Sequence, residues 1–161
     1  MKHLYFLAIC LLSTFTSQAK QANPELTALA QQYFNTMVAT QAPNATNKEL
    51  EAFLALLTDD VANQHLPYQT DDSREPDGKA MMRKGMTFYL GAHTEYQANL
   101  LDTFIFNDSA IALRYTHHAK GIHPQNQQEI EYTQTIMDVL EIEDGKIAVI
   151  RKYHEWASLN F

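Results

Sequence analysis

Asp138 carries the strongest chemical signal in this sequence of 161 residues. It belongs to an alternating run in which Ile136, Asp138 and Leu140 share one phase, so its carboxyl group should point towards the core or a cavity. Burial disfavours the charged form of a carboxyl group. We therefore expect Asp138 either to be protonated and to donate a hydrogen bond, or to be paired with a neighbouring Arg, Tyr or backbone donor.

Two histidines and a tyrosine complete the candidate set. His117 shares the inward phase of its strand with Leu113 and Tyr115, which favours a place in a pocket wall or a direct part in chemistry. His65 follows the second predicted helix on a short extended segment. Tyr33 lies midway along the apolar stripe of the first predicted helix, where its hydroxyl group needs a partner, either in a pocket or on a backbone carbonyl.

Neither a metal nor a cofactor is indicated by the motifs. The adjacent His117 and His118 would point to opposite faces of a strand, so they cannot hold one ion together. The sequence has no His-Glu-x-x-His spacing, no glycine-rich phosphate loop and no Gly-x-Ser-x-Gly motif. We therefore expect no metal site and no cofactor.

Three amphipathic helices should precede the strands. Asn23 followed by Pro24 predicts the start of the first helix, which should end near Thr40. Thr46 and Glu49 have the spacing of a capping box and predict the start of the second. The second helix should bury Leu50, Phe53, Leu54 and Leu57 and end at Asp59-Asp60. A third helix should be capped by Asp77, with an apolar face made of Met81, Met82, Gly85, Phe88, Tyr89 and Ala92.

After His93 the periodicity changes from helical to alternating, which predicts a meander of strands. Asp144-Gly145 predicts a tight hairpin before a last strand that runs from Ile147 to Trp156. Helices segregated on one face of such a sheet define an α+β fold. We expect three N-terminal helices packed on a curved antiparallel or mixed sheet, in a cone-shaped roll that encloses a pocket. On the first long strand one phase should be formed by Tyr96, Ala98, Leu100, Asp102, Phe104 and Phe106.

The charged residues of the sequence lead to two further predictions, one about partners and one about a loop. The formal net charge is -7 and the sequence has no basic block, so nucleic acid is not expected as a partner. Residues Gln69–Gly78 are rich in Asp and predict a solvated loop, with a lid over the pocket as the alternative.

The N-terminus has the pattern of a signal peptide. Lys2 precedes an apolar run, Leu4–Leu12, and Ser17-Gln18-Ala19 offers small residues for cleavage after Ala19. The run is too short for a stable membrane anchor, and a lipoprotein signal at Cys10 would place the bulky Ile9 before the cleavage site. We expect residues 1–19 to be removed and residues 20–161 to form one periplasmic or secreted domain.

The ordered motifs resemble the nuclear-transport-factor-2-like superfamily, in its SnoaL-like and ketosteroid-isomerase-like branch. The likeness covers roughly Pro24 to Trp156. It rests on three segments, of which the last is the most specific: Leu57-Thr58-Asp59-Asp60-Val61, Asp77-Gly78-Lys79, and the run from Met137 to Ile147.

This resemblance implies roles for individual residues. In ketosteroid isomerases a first-helix Tyr and a protonated Asp on the penultimate strand form an oxyanion hole, and Tyr33 and Asp138 match these positions. His65 falls where those enzymes have the Asp that moves the proton, and this departure means that the substrate class does not carry over. The residues expected to line and orient a substrate are Tyr115, His117, Phe34, Tyr89 and His154.

Three functions remain open at this point. The first is an enzyme of the isomerase or cyclase type, in which His65 abstracts a proton next to a carbonyl group while Tyr33 and Asp138 stabilise the oxyanion. The second is a non-catalytic binding protein for a small apolar molecule. The third is a homodimeric interaction module that uses the outer sheet face, which carries Thr133, Thr135, Met137 and Val139.

Overall fold

The computed structural model describes residues 23–154. The predicted signal peptide and Trp156 lie outside these residues. Three helices and five strands follow one another in the order α1 (Pro24–Gln41), α2 (Asn47–Leu54), β1 (Leu57–Leu66), α3 (Gly78–Tyr89), β2 (His93–Phe106), β3 (Ala110–Ile122), β4 (Glu129–Glu143) and β5 (Lys146–His154).

The first two helices begin where the sequence predicts. The side chain of Asn23 accepts a hydrogen bond from the backbone of Glu25, with Pro24 in the first helical turn. Thr46 and Glu49 form the predicted capping box at the start of α2. Each cap depends on a few neighbouring residues, which is why the sequence predicts it correctly.

The five strands form one open mixed sheet in the order β1-β5-β4-β3-β2. The edge strand β1 runs parallel to β5, and all other pairs are antiparallel. Asp144 and Gly145 have the positive φ angles of the predicted tight hairpin. The α+β architecture is confirmed: helices α1 and α2 pack against the inner face of a cone-shaped sheet, over a core that includes Leu26, Leu50, Leu54, Leu57, Ile111, Leu113, Leu140 and Ile150.

The prediction that α2 extends to Asp59-Asp60 is wrong. The helix ends at Leu54, and Leu57 is the first residue of β1, fully buried opposite Ile147 of β5. Over so short a run, the spacing of Leu54 and Leu57 fits a helix and the start of a buried strand equally well. The partner strand that decides between them is some ninety residues away in sequence, so the local pattern does not reveal it.

The single phase predicted along β2 is interrupted in the middle of the strand. A bulge between Leu100 and Asp102 shifts the register, so the residues after it change face. Asp102 pairs with Arg114 on the outer face, and Phe104 and Phe106 are exposed.

Helix α3 does not bury the apolar face predicted for it. Gly78 is its only buried residue among those described, and Met81, Phe88 and Tyr89 are about half exposed. Within residues 23–154, none of the helices is long and apolar enough to cross a membrane.

The Gln69–Gly78 segment is exposed, as expected, but ion pairs fasten it to the sheet. Arg151 contacts Asp72, and Arg74 contacts both Asp60 and Glu143. These contacts hold the segment beside β1 and the β4–β5 hairpin.

Candidate functional site

Two connected chambers lie between the helices and the inner face of the sheet. An inner chamber of ≈ 250 Å³ lies over β3, β4 and β5, and an outer chamber of ≈ 800 Å³ lies between α3, the edge strand β1 and the ends of β2 and β4. Six residues line both chambers and lie at the boundary between them: Gln41, Asn63, His65, Met82, Met86 and Tyr132.

A polar cluster around Asp138 forms part of the inner wall. Asp138 is fully buried, and its Oδ2 accepts hydrogen bonds from the hydroxyl groups of Tyr33 at 2.8 Å and Tyr115 at 3.2 Å. Lys152, its cross-strand neighbour, places Nζ 2.9 Å from Oδ1 and 2.8 Å from Oδ2. The same Nζ donates to the hydroxyl oxygen of Tyr115 at 2.7 Å.

The hydrogen bonds of this cluster differ from those of the predicted oxyanion hole. An ammonium group and two phenol donors are directed at Asp138, whereas the prediction has Asp138 donate to a ligand. The proton of Tyr33 is used on Asp138 and is not directed at a ligand. Asp138 itself does not line either chamber, whereas Tyr33, Tyr115 and Lys152 line the inner one. Asp138 therefore positions donors and does not contact a ligand in the inner chamber.

The phenol groups of the cluster remain protonated. Burial first, and then the charge of Asp138, raises the pKa of Tyr33 well above its ordinary value. The same two causes raise the pKa of Tyr115. Both tyrosines therefore act as hydrogen-bond donors and not as bases at neutral pH.

His65 and His154 form a stacked pair on the neighbouring wall. Nδ1 of His65 lies 3.2 Å from Nε2 of His154, and the ring centroids are 5.4 Å apart. Burial first, and then Lys152 and His154, lowers the pKa of His65 from 6.5 to about 4. Burial and Lys152 also lower the pKa of His154. One ring of the pair can donate to the other while both are neutral, which leaves Nε2 of His65 without a role in the pair.

His117 lies deeper in the inner chamber, among aromatic rings. The rings of Tyr96, Tyr115 and Tyr132 pack around it at centroid distances of 5.5, 6.1 and 5.5 Å. Both ring nitrogens are buried and make no hydrogen bond in the described structure. Burial first, and then Lys152, lowers the pKa of His117 to about 4, while the nearby Gln134 acts weakly in the opposite direction. His117 is therefore neutral at pH 7.

The other predicted lining residues divide between core and chambers. His154 lines the inner chamber and Tyr89 lines the outer one. Phe34 lines neither, because its side chain is buried in the core with its ring 5.7 Å from that of Tyr115.

Lys152 is the functional residue that the sequence reasoning missed. It shares the inward phase of β5 with Ile150 and His154, and only its register against β4 reveals the contact with Asp138. A signal was present, since a buried Asp predicts a basic partner on an adjacent strand. Among residues 23–154, no group of three or more His, Cys, Asp or Glu side chains could hold a metal ion.

Comparisons with known proteins identify the family of this chain. Residues 28–150 match the model of the SnoaL-like domain. Similar solved structures include an epoxide hydrolase of M. tuberculosis (TM-score 0.58, 17% identity, 82% of this chain and 84% of that chain). A second is a nuclear-transport-factor-2-like protein from Anabaena variabilis (TM-score 0.61, 18% identity, 83% and 91%). A third is a phenazine biosynthesis-related protein from Pseudomonas aeruginosa (TM-score 0.58, 17% identity, 82% and 84%). At these identities the likeness shows the fold alone, and no curated protein matches the chain.

Proposed function

Because this chain belongs to the SnoaL-like domain family, we propose that it binds a small, uncharged and largely apolar molecule in its inner chamber. The observation that carries this proposal is the charge of the chamber wall. Lys152 is the one formally charged residue among the described residues that line it, and Asp138 neutralises that charge from behind. A charged ligand would lose its hydration without gaining a free countercharge.

The proposed ligand carries at least one oxygen, such as a carbonyl or hydroxyl group. The ammonium of Lys152 and the hydroxyl of Tyr115 lie 2.7 Å apart on the wall, and both donate within the cluster. A ligand oxygen would accept a hydrogen bond from one of them by taking the place of a partner inside the cluster. Most of the remaining wall is apolar or aromatic, with Met37, Phe53, Ile136 and Ile150 among its residues. A few polar groups on a mainly apolar wall are typical of sites that bind and orient small molecules.

A second candidate function is proton transfer next to that oxygen. The paired histidines favour it, because in the tautomer that donates from Nδ1 of His65 to His154, Nε2 of the neutral His65 has a lone pair available to accept a proton. The cationic Lys152 would stabilise negative charge that develops on the ligand oxygen. The low pKa of His65 makes it a weak base, so binding without turnover is the primary proposal.

Native mass spectrometry of the purified full chain tests the primary proposal. We expect a small-molecule adduct that is lost on collisional activation, with a mass corresponding to a neutral compound. A Tyr115→Phe variant should lose most of the adduct, whereas Tyr153→Phe, on the outer sheet face, should retain it. Equal retention by both variants would place the ligand outside the inner chamber and refute the proposal.

Turnover is tested on the compound identified in that experiment. Incubation with the protein in deuterated water would exchange a proton next to the carbonyl group if His65 accepts it. We expect His65→Gln to abolish exchange and to retain binding. Exchange at an unchanged rate in this variant would remove His65 from the mechanism.

We also propose that the mature protein acts outside the cytoplasm, as residues 1–19 predict. The N-terminal sequence of protein recovered from the exported fraction should begin at Lys20. Recovery of the uncleaved chain from the cytoplasm would contradict this.

Finally, we propose a homodimer through the outer sheet face. Apolar side chains that are 38–53% exposed lie there in two pairs, Phe104 with Phe106 on β2 and Met137 with Tyr153 across β4 and β5. Strand β3 lies between the two pairs, and a partner that covers the face would bury both. Light scattering should give twice the chain mass for the natural protein and a single chain mass for Phe104→Asp, and a monomer in both cases would refute the dimer.

A further inference from the structure

The outer chamber has a wall that the proposed function leaves unused. Helix α3 turns Met81, Met82 and Met86 towards it, and Met81 remains 53% exposed. Methionine side chains are flexible and polarizable, so they adapt to the shape of an apolar partner. Met82 and Met86 are partly buried and pack against the core, whereas Met81 leaves exposed apolar surface that a ligand could cover.

Gly85 lies in the middle of the same helix and lines the same chamber. Glycine inside a helix costs about 0.5–1 kcal/mol relative to alanine, so a position that has it normally needs a packing reason. None is found here, because a Cβ atom built on Gly85 would meet no other atom within 4 Å. The effect of this glycine is to keep the chamber wide beside the three methionines.

The charges at the outer chamber define which molecules fit it. Asp71 and Glu75 are the formally charged residues among the described residues that line it, and neither Lys nor Arg is present in this lining. A phosphate, carboxylate or sulfate group would meet like charge here. The ligand of the outer chamber therefore does not place an anionic group there, which excludes a fatty acid whose carboxylate lies in the outer chamber.

The inner chamber is too small to account for a whole ligand of ordinary size. Its ≈ 250 Å³ falls just below the ~300–1,000 Å³ of typical ligand pockets. Six residues, including Met82 and Met86, line both chambers, so one molecule can extend from one to the other.

We propose that the outer chamber binds the hydrocarbon chain of the same ligand whose oxygen-bearing head occupies the inner chamber. The ligand class is a neutral long-chain amphiphile, such as a long-chain ketone or alcohol. This inference rests on the proposed function, since it requires the head to be held near Lys152 and Tyr115. It adds that chain length, and not the head alone, determines affinity.

A series of linear methyl ketones of increasing length tests the inference, with binding to the full chain followed by calorimetry and ligand-observed NMR. Each methylene that enters the outer chamber should tighten binding by about fourfold. Gly85→Trp should fill the chamber and weaken the longest ketone by about tenfold or more, while leaving the shortest ketone unchanged. Gly85→Ala is the matched control and should retain the affinity of the natural protein for the longest ketone. Tyr115→Phe should weaken long and short ketones by the same factor.

The outcomes separate the two proposals. Binding of short ketones that depends on Tyr115 but gains nothing from added methylenes would overturn the tail site and leave the proposed function standing. Failure of every ketone to bind would overturn both. A Trp156→Ser/Phe161→Ser variant that gains affinity for the longest ketone would assign the chamber to the C-terminal segment of this chain and overturn the inference.

Discussion

The ammonium nitrogen of Lys152 lies 2.9 Å and 2.8 Å from the two carboxylate oxygens of Asp138, directly across the β4–β5 pair. Asp138 is fully buried, and the side chain of Lys152 is 14% exposed. Each charge therefore depends on the other for its compensation, and the pair also orients the hydroxyl groups of Tyr33 and Tyr115.

Removal of one member of this pair should destabilise the fold strongly. Lys152→Met leaves a buried carboxylate without a cation, and we expect it to reduce the free energy of unfolding by about 3–5 kcal/mol at neutral pH. Urea unfolding followed by circular dichroism measures the loss. The double variant Lys152→Met/Asp138→Leu should recover most of it, because no buried charge remains.

Lys79→Met provides the control for that experiment. Lys79 contacts Asp59, whose side chain is 92% exposed, so water replaces the lost cation and the loss should be much smaller. Equal losses for Lys152→Met and Lys79→Met would mean that the Asp138 pair does not support the fold.

Replacement of His117 by Phe should stabilise the protein. The buried ring nitrogens of His117 make no hydrogen bond of good geometry and the nearby Gln134 offsets only part of the cost of burial, so an apolar ring of similar shape removes a desolvation penalty. We expect a gain of about 1 kcal/mol in the free energy of unfolding. The ring contacts with Tyr96 and Tyr132 can persist in the variant. A loss of stability for His117→Phe would instead reveal an unseen partner, such as a buried water.

Stability should fall as the pH is lowered from 6.5 towards 4. The pKa values of His65 and His117 are lowered from 6.5 to about 4 by burial and by Lys152, so between these values the unfolded chain binds more protons than the folded one. The stability contribution of each neutral histidine is complete above pH 6.5 and is lost towards pH 4. The expected slope is on the order of 1 kcal/mol per pH unit for each histidine, reduced by partial exposure.

Urea midpoints at a series of pH values measure this dependence. The variant His65→Phe/His117→Phe should flatten the curve in this range relative to the natural protein. A double variant with the same pH dependence as the natural protein would show that neither histidine is buried in its neutral form.

Two glycines of α3 should respond in opposite directions to alanine. Gly85→Ala adds a methyl group in open space and reduces the entropy of the unfolded chain, so we expect a gain of about 0.5–1 kcal/mol. At Gly78 the added Cβ atom would collide with the backbone carbonyl oxygen of Val61 in β1. Gly78→Ala should therefore destabilise the protein and displace the start of α3 from the sheet. Thermal unfolding of the two variants side by side checks both signs, and a gain at both positions would mean that α3 is not held against β1.

Local signals in the sequence determined much of this fold. The caps at Asn23 and Thr46 set the starts of α1 and α2, because capping involves only residues within one turn. The alternating phases of β3 and β4 placed His117 and Asp138 inward correctly, because side chains along a strand alternate whatever the partner strand is. Burial of Tyr33, Tyr115 and Asp138 in one cluster follows from these phases together with the α1 stripe.

Only the tertiary structure decided which residue compensates Asp138. The tight turn at Asp144-Gly145 pairs Ile142 with Ile147, and this register, continued, would place Arg151 opposite Asp138. A bulge between Glu141 and Ile142, with Ala148 as the extra residue, shifts β5 by one residue and places Lys152 there instead. The same cause moved Phe104 and Phe106 to the outer face of β2. Bulges arise where a sheet bends over its helices, so they depend on packing across the whole domain, which no local pattern in the sequence records.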